Sequence, residues 1–249
     1  MLTDTHCHLF KEYFDNIDDV LLNAKNNKVY RYINNATNLE NCREVIEISK
    51  NYKDVYYSLG IHPDSVDDNL EELRQLVIDN LNDDKFVAIG EIGLDYHYGK
   101  DNKDRQIQVF EYQLALAEEF NLPVIVHSRE ATQDTLDCIK KYKVKGSLHC
   151  FNGSLEIAKE YIKLGFYFGV NGVITFKNSK IDEVIKEIPL NRILLETDTP
   201  YLTPEPFRKY SNEPKYILVI AEYLANLYQI SLEEVMTITE ENISNLFDF

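Results

Sequence analysis

Hydrophobic and polar positions follow two rhythms along this chain. Short β-branched or aromatic runs read as strands: LTDTHCHL from Leu2, VYRYIN from Val29, VYYSLG from Val55 and FVAIGEIG from Phe86. Four more follow: PVIVHS from Pro123, GSLHCF from Gly146, FYFGV from Phe166 and RILLETD from Arg192. Between them lie stretches of helical period, such as DDVLLNAKNN, SLEIAKEYIKLG and KIDEVIKEI. The clearest is RQIQVFEYQLALAEEF, where Ile107, Phe110, Leu114 and Ala117 recur on one helical face.

Eight strands, nearly all separated by one helix, predict parallel β/α units without an internal break. Count and length suit a single (β/α)8 barrel in the α/β class, spanning 1–249 as one domain. An open doubly wound sheet is the other arrangement, but no GxGxxG or GxxxxGK[ST] loop follows any strand. After the eighth strand, TPYLTPEPFRKYSNEP holds four of the seven prolines and reads as a long irregular loop. Helices are expected beyond it, around YILVIAEYLANLY and SLEEVMTITEENISNLF.

Composition narrows the classes of function. The 249 residues are 44% hydrophobic, enough for a large core, and no apolar run reaches the length of a membrane helix. The first ten residues hold Asp4, His6 and His8 in place of a basic region and apolar run, so the expected compartment is the cytoplasm. Twenty-six basic against 42 acidic residues give a formal charge of −16. That argues against a protein that coats nucleic acid or anionic membrane, though bound cations can reverse the field locally. Four scattered cysteines form no CxxC pair, and Cys7 and Cys150, each beside a histidine, read as small buried hydrophobes.

The candidate chemistry sits at strand ends. In MLTDTHCHLF, alternation along a strand turns Asp4, His6 and His8 to the same face. The third strand leads into GIHP with His62, the fourth into GEIGLDY with Glu91, and the fifth into HSR with His127 and Arg129. The sixth ends in LHCF with His149 and the eighth in LETDTP with Asp198. Five of the six histidines thus fall on the C-terminal rim, which is the active-site face of a (β/α)8 barrel. Such a set of imidazoles and carboxylates is costly to desolvate unless cations hold it.

The mixed donors suit Zn²⁺, Mn²⁺ or a similar divalent ion such as Mg²⁺. Six ligands exceed the needs of one tetrahedral centre, so two ions are expected. His6, His8 and Asp198 would hold one, His127 and His149 the other, with Glu91 bridging. Two ions about 4 Å apart stabilise the attacking and leaving oxygens of an in-line phosphoryl displacement. Asp198 would orient or deprotonate the attacking water.

In order, DTHCH, GIHP, GEIGLDY, the run from RQ to LPVIVHSRE, HCFNGS, ETDTPYL and NEP resemble the TatD family of metal-dependent deoxyribonucleases across essentially the whole chain. The resemblance implies a TIM barrel of the amidohydrolase superfamily, divalent-metal dependence and 3′–5′ exonuclease or phosphodiesterase activity. It implies metal ligands at His6, His8, Glu91, His127, His149 and Asp198, with Glu91 and Asp198 catalytic. His62 and Arg129 are left as pocket residues facing substrate phosphate. The expected partner is a DNA substrate, single-stranded or at its 3′ ends; no membrane and no obligate protein partner is implied, and a monomer is expected. The chain departs from the commoner family pattern at Asn152, at Asp64 and in FRKYS, positions that bear on substrate preference.

Alternatives share the same ligands. A D-aminoacyl-tRNA deacylase would use the same metal site on another ester, and a non-catalytic metal-binding scaffold would keep the ligands without turnover. A phosphotriesterase-like or dihydroorotase-like enzyme bridges its metals with a modified lysine on the fourth strand, whereas Lys85 lies at that strand's opposite end. Gly90 and Gly93 are read as turn glycines that leave space for substrate. His97, with Lys100 and Lys103, reads as exposed loop. Of the seventeen tyrosines, Tyr96 and Tyr201 are candidates for stacking on bases.

Overall fold

The computed structural model describes residues 1–97, 99 and 101–247, so Lys100 lies outside the described residues. Eight strands form one parallel sheet in chain order: β1 (Leu2–Cys7), β2 (Val29–Asn35), β3 (Val55–Leu59), β4 (Phe86–Asp95), β5 (Val124–Arg129), β6 (Gly146–Leu148), β7 (Tyr167–Val170) and β8 (Ile193–Leu195). The sheet curls until its edges meet. Cys7 bridges Thr199, the His8 amide donates to the Thr199 carbonyl at 2.9 Å, and the Asp198 amide donates to the His6 carbonyl at 2.9 Å. This nearly closed ring with alternating helices is a (β/α)8 TIM barrel. Its seam passes through the residues that carry His6, His8 and Asp198.

The helices are α1 (Ile17–Asn26), α2 (Leu39–Asn51), α3 (Leu70–Asn80), α4 (Lys103–Phe120), α5 (Thr132–Ile139), α6 (Leu155–Lys163), α7 (Ile181–Ile185), α8 (Ile217–Tyr228) and α9 (Leu232–Phe247). In α4 the buried positions Val109, Phe110, Gln113, Leu114 and Ala117 make the stripe that faces the sheet. Each such aliphatic, fully buried, contributes about 1.5–3 kcal/mol. The α4 stripe ends where Asn121 turns left-handed (φ 54°). Asn16, Asn38 and Asn69 cap α1, α2 and α3 by accepting backbone amides of the first turn.

Two apolar clusters result. The larger lies between sheet and helices; the smaller joins Ile33, Ala88, Ile125, Tyr167 and Leu194 from five strands to Ile243 and Leu246 of α9, filling the barrel. α9 covers the N-terminal end of the barrel, where Asn242 donates to the carbonyls of Leu190 and Ile193 and Glu240 accepts from Thr3. The C-terminal mouth stays open.

Two strands reach half or less of the length that their sequence runs suggest. GSLHCF is a strand only to Leu148, and RILLETD only from Ile193 to Leu195. Just beyond these ends Cys150 (φ 48°) and Asp198 (φ 60°) adopt the left-handed region, while the Glu196 amide still donates to the Val170 carbonyl at 3.1 Å. Gly90 and Gly93 also differ from expectation, since they do not open space for substrate. A Cβ at Gly90 would stand 2.7 Å from Ile125 Cβ, and one at Gly93 (φ 149°) would stand 1.9 Å from the His127 carbonyl oxygen. Their bare backbones bring β4 against β5, which sets Glu91 beside His127.

Candidate metal centre

Glu91 lies at the centre of the mouth and is 3% exposed. Its two carboxylate oxygens face two different groups. Oε2 is 3.2 Å from His6 Nε2 and 3.6 Å from His8 Nε2. Oε1 is 3.0 Å from His127 Nδ1, 3.1 Å from His149 Nε2 and 3.8 Å from His62 Nε2. Asp198 Oδ1 completes the first group, 3.5 Å from His8 Nε2 and 3.8 Å from His6 Nε2.

These spacings can be compared with coordination geometry. Two donors each about 2.1 Å from one ion, at angles between right and tetrahedral, stand about 3.0–3.4 Å apart. The spacings around Glu91 match or slightly exceed that range. Buried nitrogens with no hydrogen-bond partner point the same way: both ring nitrogens of His6 and Nδ1 of His149 have none. His6, His8 and Asp198 offer donor atoms mutually within 4.8 Å, as do His62, Glu91 and His127. The donor set therefore fits divalent cations.

Neighbouring groups hold the imidazoles in place. His8 Nδ1 is 2.9 Å from the Asn35 carbonyl, which leaves Nε2 aimed at Glu91 and Asp198. His127 Nε2 is 3.1 Å from Asp95 Oδ2, and Asp95 also accepts the His97 amide. His149 Nδ1 lies 3.6 Å from Glu196 Oε1, an oxygen fixed by the Cys150 amide at 2.6 Å and by Asn171 at 3.3 Å. Asp95, Glu196 and Asn35 are absent from the sequence reading. The parity of strand positions gave a signal for two of them, since Asp95 stands four residues beyond Glu91 and Glu196 two before Asp198.

Asp4 does not join the donor ring. Its Oδ1 accepts the Thr197 amide at 2.9 Å and its Oδ2 pairs with the Thr197 hydroxyl, tying β1 to the segment that carries Asp198. Burial pushes its carboxyl up to about 8 against the lowering effect of those hydrogen bonds.

The electrostatics of the ring are those of interlocked opposite charges. Burial works to raise the Glu91 carboxyl, but the charges of His149 and His6 and hydrogen bonds from His127 and His149 hold it well below the usual range. Asp198 is lowered against its burial by His8, His149 and His6. Burial works to lower His149, yet Glu91 and Glu196 raise it well above an ordinary imidazole. His8 and His127 are raised in the same way by their carboxylates, whereas burial and the neighbouring His149 lower His6.

A cleft of about 740 Å³ opens over the ring, lined among others by His62, Arg129, Asn152, Tyr13 and Tyr201. The structure thus brings all eight sequence-derived site residues to one mouth, with His6 fully buried at its floor. His62 stands closer to the donors than a substrate contact alone requires, its ring 4.5 Å from that of His127. Tyr96 is buried and donates to Asp134 at 2.9 Å, away from the cleft lining; Tyr201 lines it. Lys85 lies just before β4 at the opposite end of the barrel and donates to the Tyr52 carbonyl at 2.8 Å.

A parallel barrel whose mouth gathers imidazoles and carboxylates around a central glutamate is the architecture of a metal-dependent hydrolase. Residues 3–248 match the family model described as TatD related DNase, and the chain belongs to that family. The "Uncharacterized metal-dependent hydrolase YabD" of Bacillus subtilis is 43% identical over 252 residues, covering 99% of each chain. The human "Deoxyribonuclease TATDN3" is 36% identical over 262 residues, covering 99% of this chain and 94% of the human one. Among solved structures, the TatD homologue YjjV of Escherichia coli superposes with a TM-score of 0.93 at 33% identity, covering 100% of this chain and 98% of that one. The chain is an enzyme of the metal-dependent hydrolase class. No helix among the described residues is long and apolar enough to cross a membrane.

Proposed function

We propose that this enzyme hydrolyses phosphodiester bonds of DNA, working from 3′ ends as a 3′–5′ exonuclease, in a single domain spanning 1–249. The observation that carries the reading is the division of Glu91, with one oxygen toward His6 and His8 and the other toward His127 and His149. In this reading His6, His8 and Asp198 hold one divalent ion and His127 and His149 a second, with Glu91 shared. Such ions, when bound, supply charge that polarises phosphoryl oxygens and acidifies water.

The chain's own groups do the rest. Asp198, held in the ionised form by His8 and its neighbours, accepts a proton from the attacking water or orients it at its Oδ atoms. Arg129, at the end of β5 on the cleft wall, presents a guanidinium fork to the non-bridging oxygens of the phosphate. His62 faces the same phosphate from the β3 side. The name of the human relative supports a DNA substrate.

The experiment is incubation of the pure protein with Mg²⁺ or Mn²⁺ and 3′- or 5′-end-labelled single-stranded DNA, beside a charged tRNA. Stepwise shortening from the 3′ end, abolished by a chelator, is expected. Deacylation of the tRNA with intact DNA would replace the phosphodiester reading with the carboxylic-ester one.

A further inference from the structure

Four aromatic rings form a closed circuit on one wall of the cleft. His8 stacks on Phe10 at 5.9 Å, Phe10 meets Tyr13 at 6.1 Å, Tyr13 meets Tyr201 edge-on at 6.0 Å, and Tyr201 returns to His8 at 6.5 Å. The Tyr201 hydroxyl donates to that of Tyr13 at 3.1 Å, which ties the two side chains together. Phe10 is buried beneath them at 1% exposure, whereas Tyr13 and Tyr201 are 38% and 51% exposed.

Tyr13 follows β1 and Tyr201 lies three residues past Asp198, so the two rings ride on the segments that carry His6, His8 and Asp198. Their placement is coupled to that half of the donor ring. Among the described residues, Tyr13 and Tyr201 are the tyrosines that line the cleft, and Arg129 is its one lysine or arginine, against Asp64, Glu91, Asp95 and Asp198. Beyond Arg129, a polyanion gains little here from basic side chains. Neutral stacking on a fixed aromatic surface remains, and it is a known source of affinity for unpaired bases. Because the rings already hold one another, little side-chain freedom is lost on contact.

We infer that Tyr13 and Tyr201 form a stacking subsite for an unpaired nucleobase, one sugar away from a phosphate held at the His6–His8–Asp198 side of the donor ring. The subsite rests on the phosphodiester reading for its placement and adds to it a requirement for a base in a single strand. A base inside a duplex keeps both faces covered and cannot enter.

The test uses the full chain loaded with Mn²⁺ and three DNA substrates. One is a short single strand with 2-aminopurine at its 3′ end, the second the same strand with a tetrahydrofuran abasic residue there, and the third a blunt duplex of the first. The expected KM for the 2-aminopurine strand is about tenfold below those of the other two. Tyr201→Leu and Tyr13→Leu each raise KM on that strand, and their loss overlaps with the loss caused by removing the base. Tyr201→Phe, which keeps the ring, retains the low KM. Emission from 2-aminopurine falls on binding to wild type and not to Tyr201→Leu. Equal KM values for all three substrates, unmoved by the Leu substitutions, would overturn the subsite and leave the phosphodiester reading standing. Quenching without hydrolysis of any strand would overturn that reading of the reaction and leave the subsite standing. Neither quenching nor hydrolysis would overturn both.

Discussion

Asp4 on the first strand accepts the backbone amide of Thr197, just past the eighth, at 2.9 Å. The bond crosses the seam of the barrel and fixes the residue before Asp198. The Thr197 hydroxyl donates to the other Asp4 oxygen, Oδ2, and burial pushes the carboxyl up to about 8.

Asp4→Asn keeps one oxygen to accept the Thr197 amide, offers an N–H to the Thr197 hydroxyl oxygen, and is expected to fold and turn over much as wild type does. Asp4→Ala leaves the Thr197 groups unpaired in a buried place and should cost about 1–3 kcal/mol. The pH dependence has a definite sign. A carboxyl raised in the folded state keeps its proton while the unfolded chain releases one, so its stabilising contribution is lost as pH climbs from near 4 through about 8. Urea midpoints of wild type and Asp4→Asn should therefore diverge in favour of the variant across that window. Parallel midpoints would show that Asp4 is not held neutral.

Asp198→Asn removes the proton acceptor and one donor of the ring while keeping the side chain's volume. Turnover should fall about 10²- to 10⁴-fold, with the circular dichroism spectrum unchanged because the residue sits at the mouth and outside the apolar clusters. Wild-type turnover in this variant would remove Asp198 from the reaction.

Arg129→Ala should raise KM for phosphate substrates about tenfold or more, as loss of a charge-assisted hydrogen bond to phosphate predicts. The thermal midpoint should move little. An unchanged KM would make Arg129 a structural residue of the cleft wall.

Metal affinity should depend on pH through the imidazoles. His8, His127 and His149 are raised above the ordinary histidine value by their carboxylates, so a cation must compete with protons for these nitrogens. Calorimetric titration of the chelator-treated protein with Mn²⁺, in two buffers of different ionisation enthalpy, should detect proton release. The affinity should rise with pH. Binding with no proton release would mean that these nitrogens are not the ligands.

Much of this arrangement was legible in the sequence because alternation on a strand is a rigid rule. It put His6 and His8 on one face, and the barrel topology then carried Glu91, His127, His149 and Asp198 to the same rim. The supporting contacts were harder to see. Asp95 and Glu196 had the right parity, but acidic residues near turns usually act as local caps, so parity alone did not select them. The early ends of β6 and β8 lie just before left-handed Cys150 and Asp198, and a cysteine gives no warning of that conformation. The role of Gly90 and Gly93 is a matter of distance between two strands, which only the pairing of β4 with β5 reveals. Among the aromatics, the chain order placed Tyr96 and Tyr201 on equal terms; packing buried one and left the other in the cleft.

The central claim is that one glutamate is shared by two cations. The most direct measurement is an anomalous-difference map from crystals soaked in Mn²⁺. Two peaks about 3.5–4 Å apart, one beside His6, His8 and Asp198 and one beside His127 and His149, with Glu91 between them, are predicted. A single peak, or peaks that leave Glu91 untouched, would contradict the account.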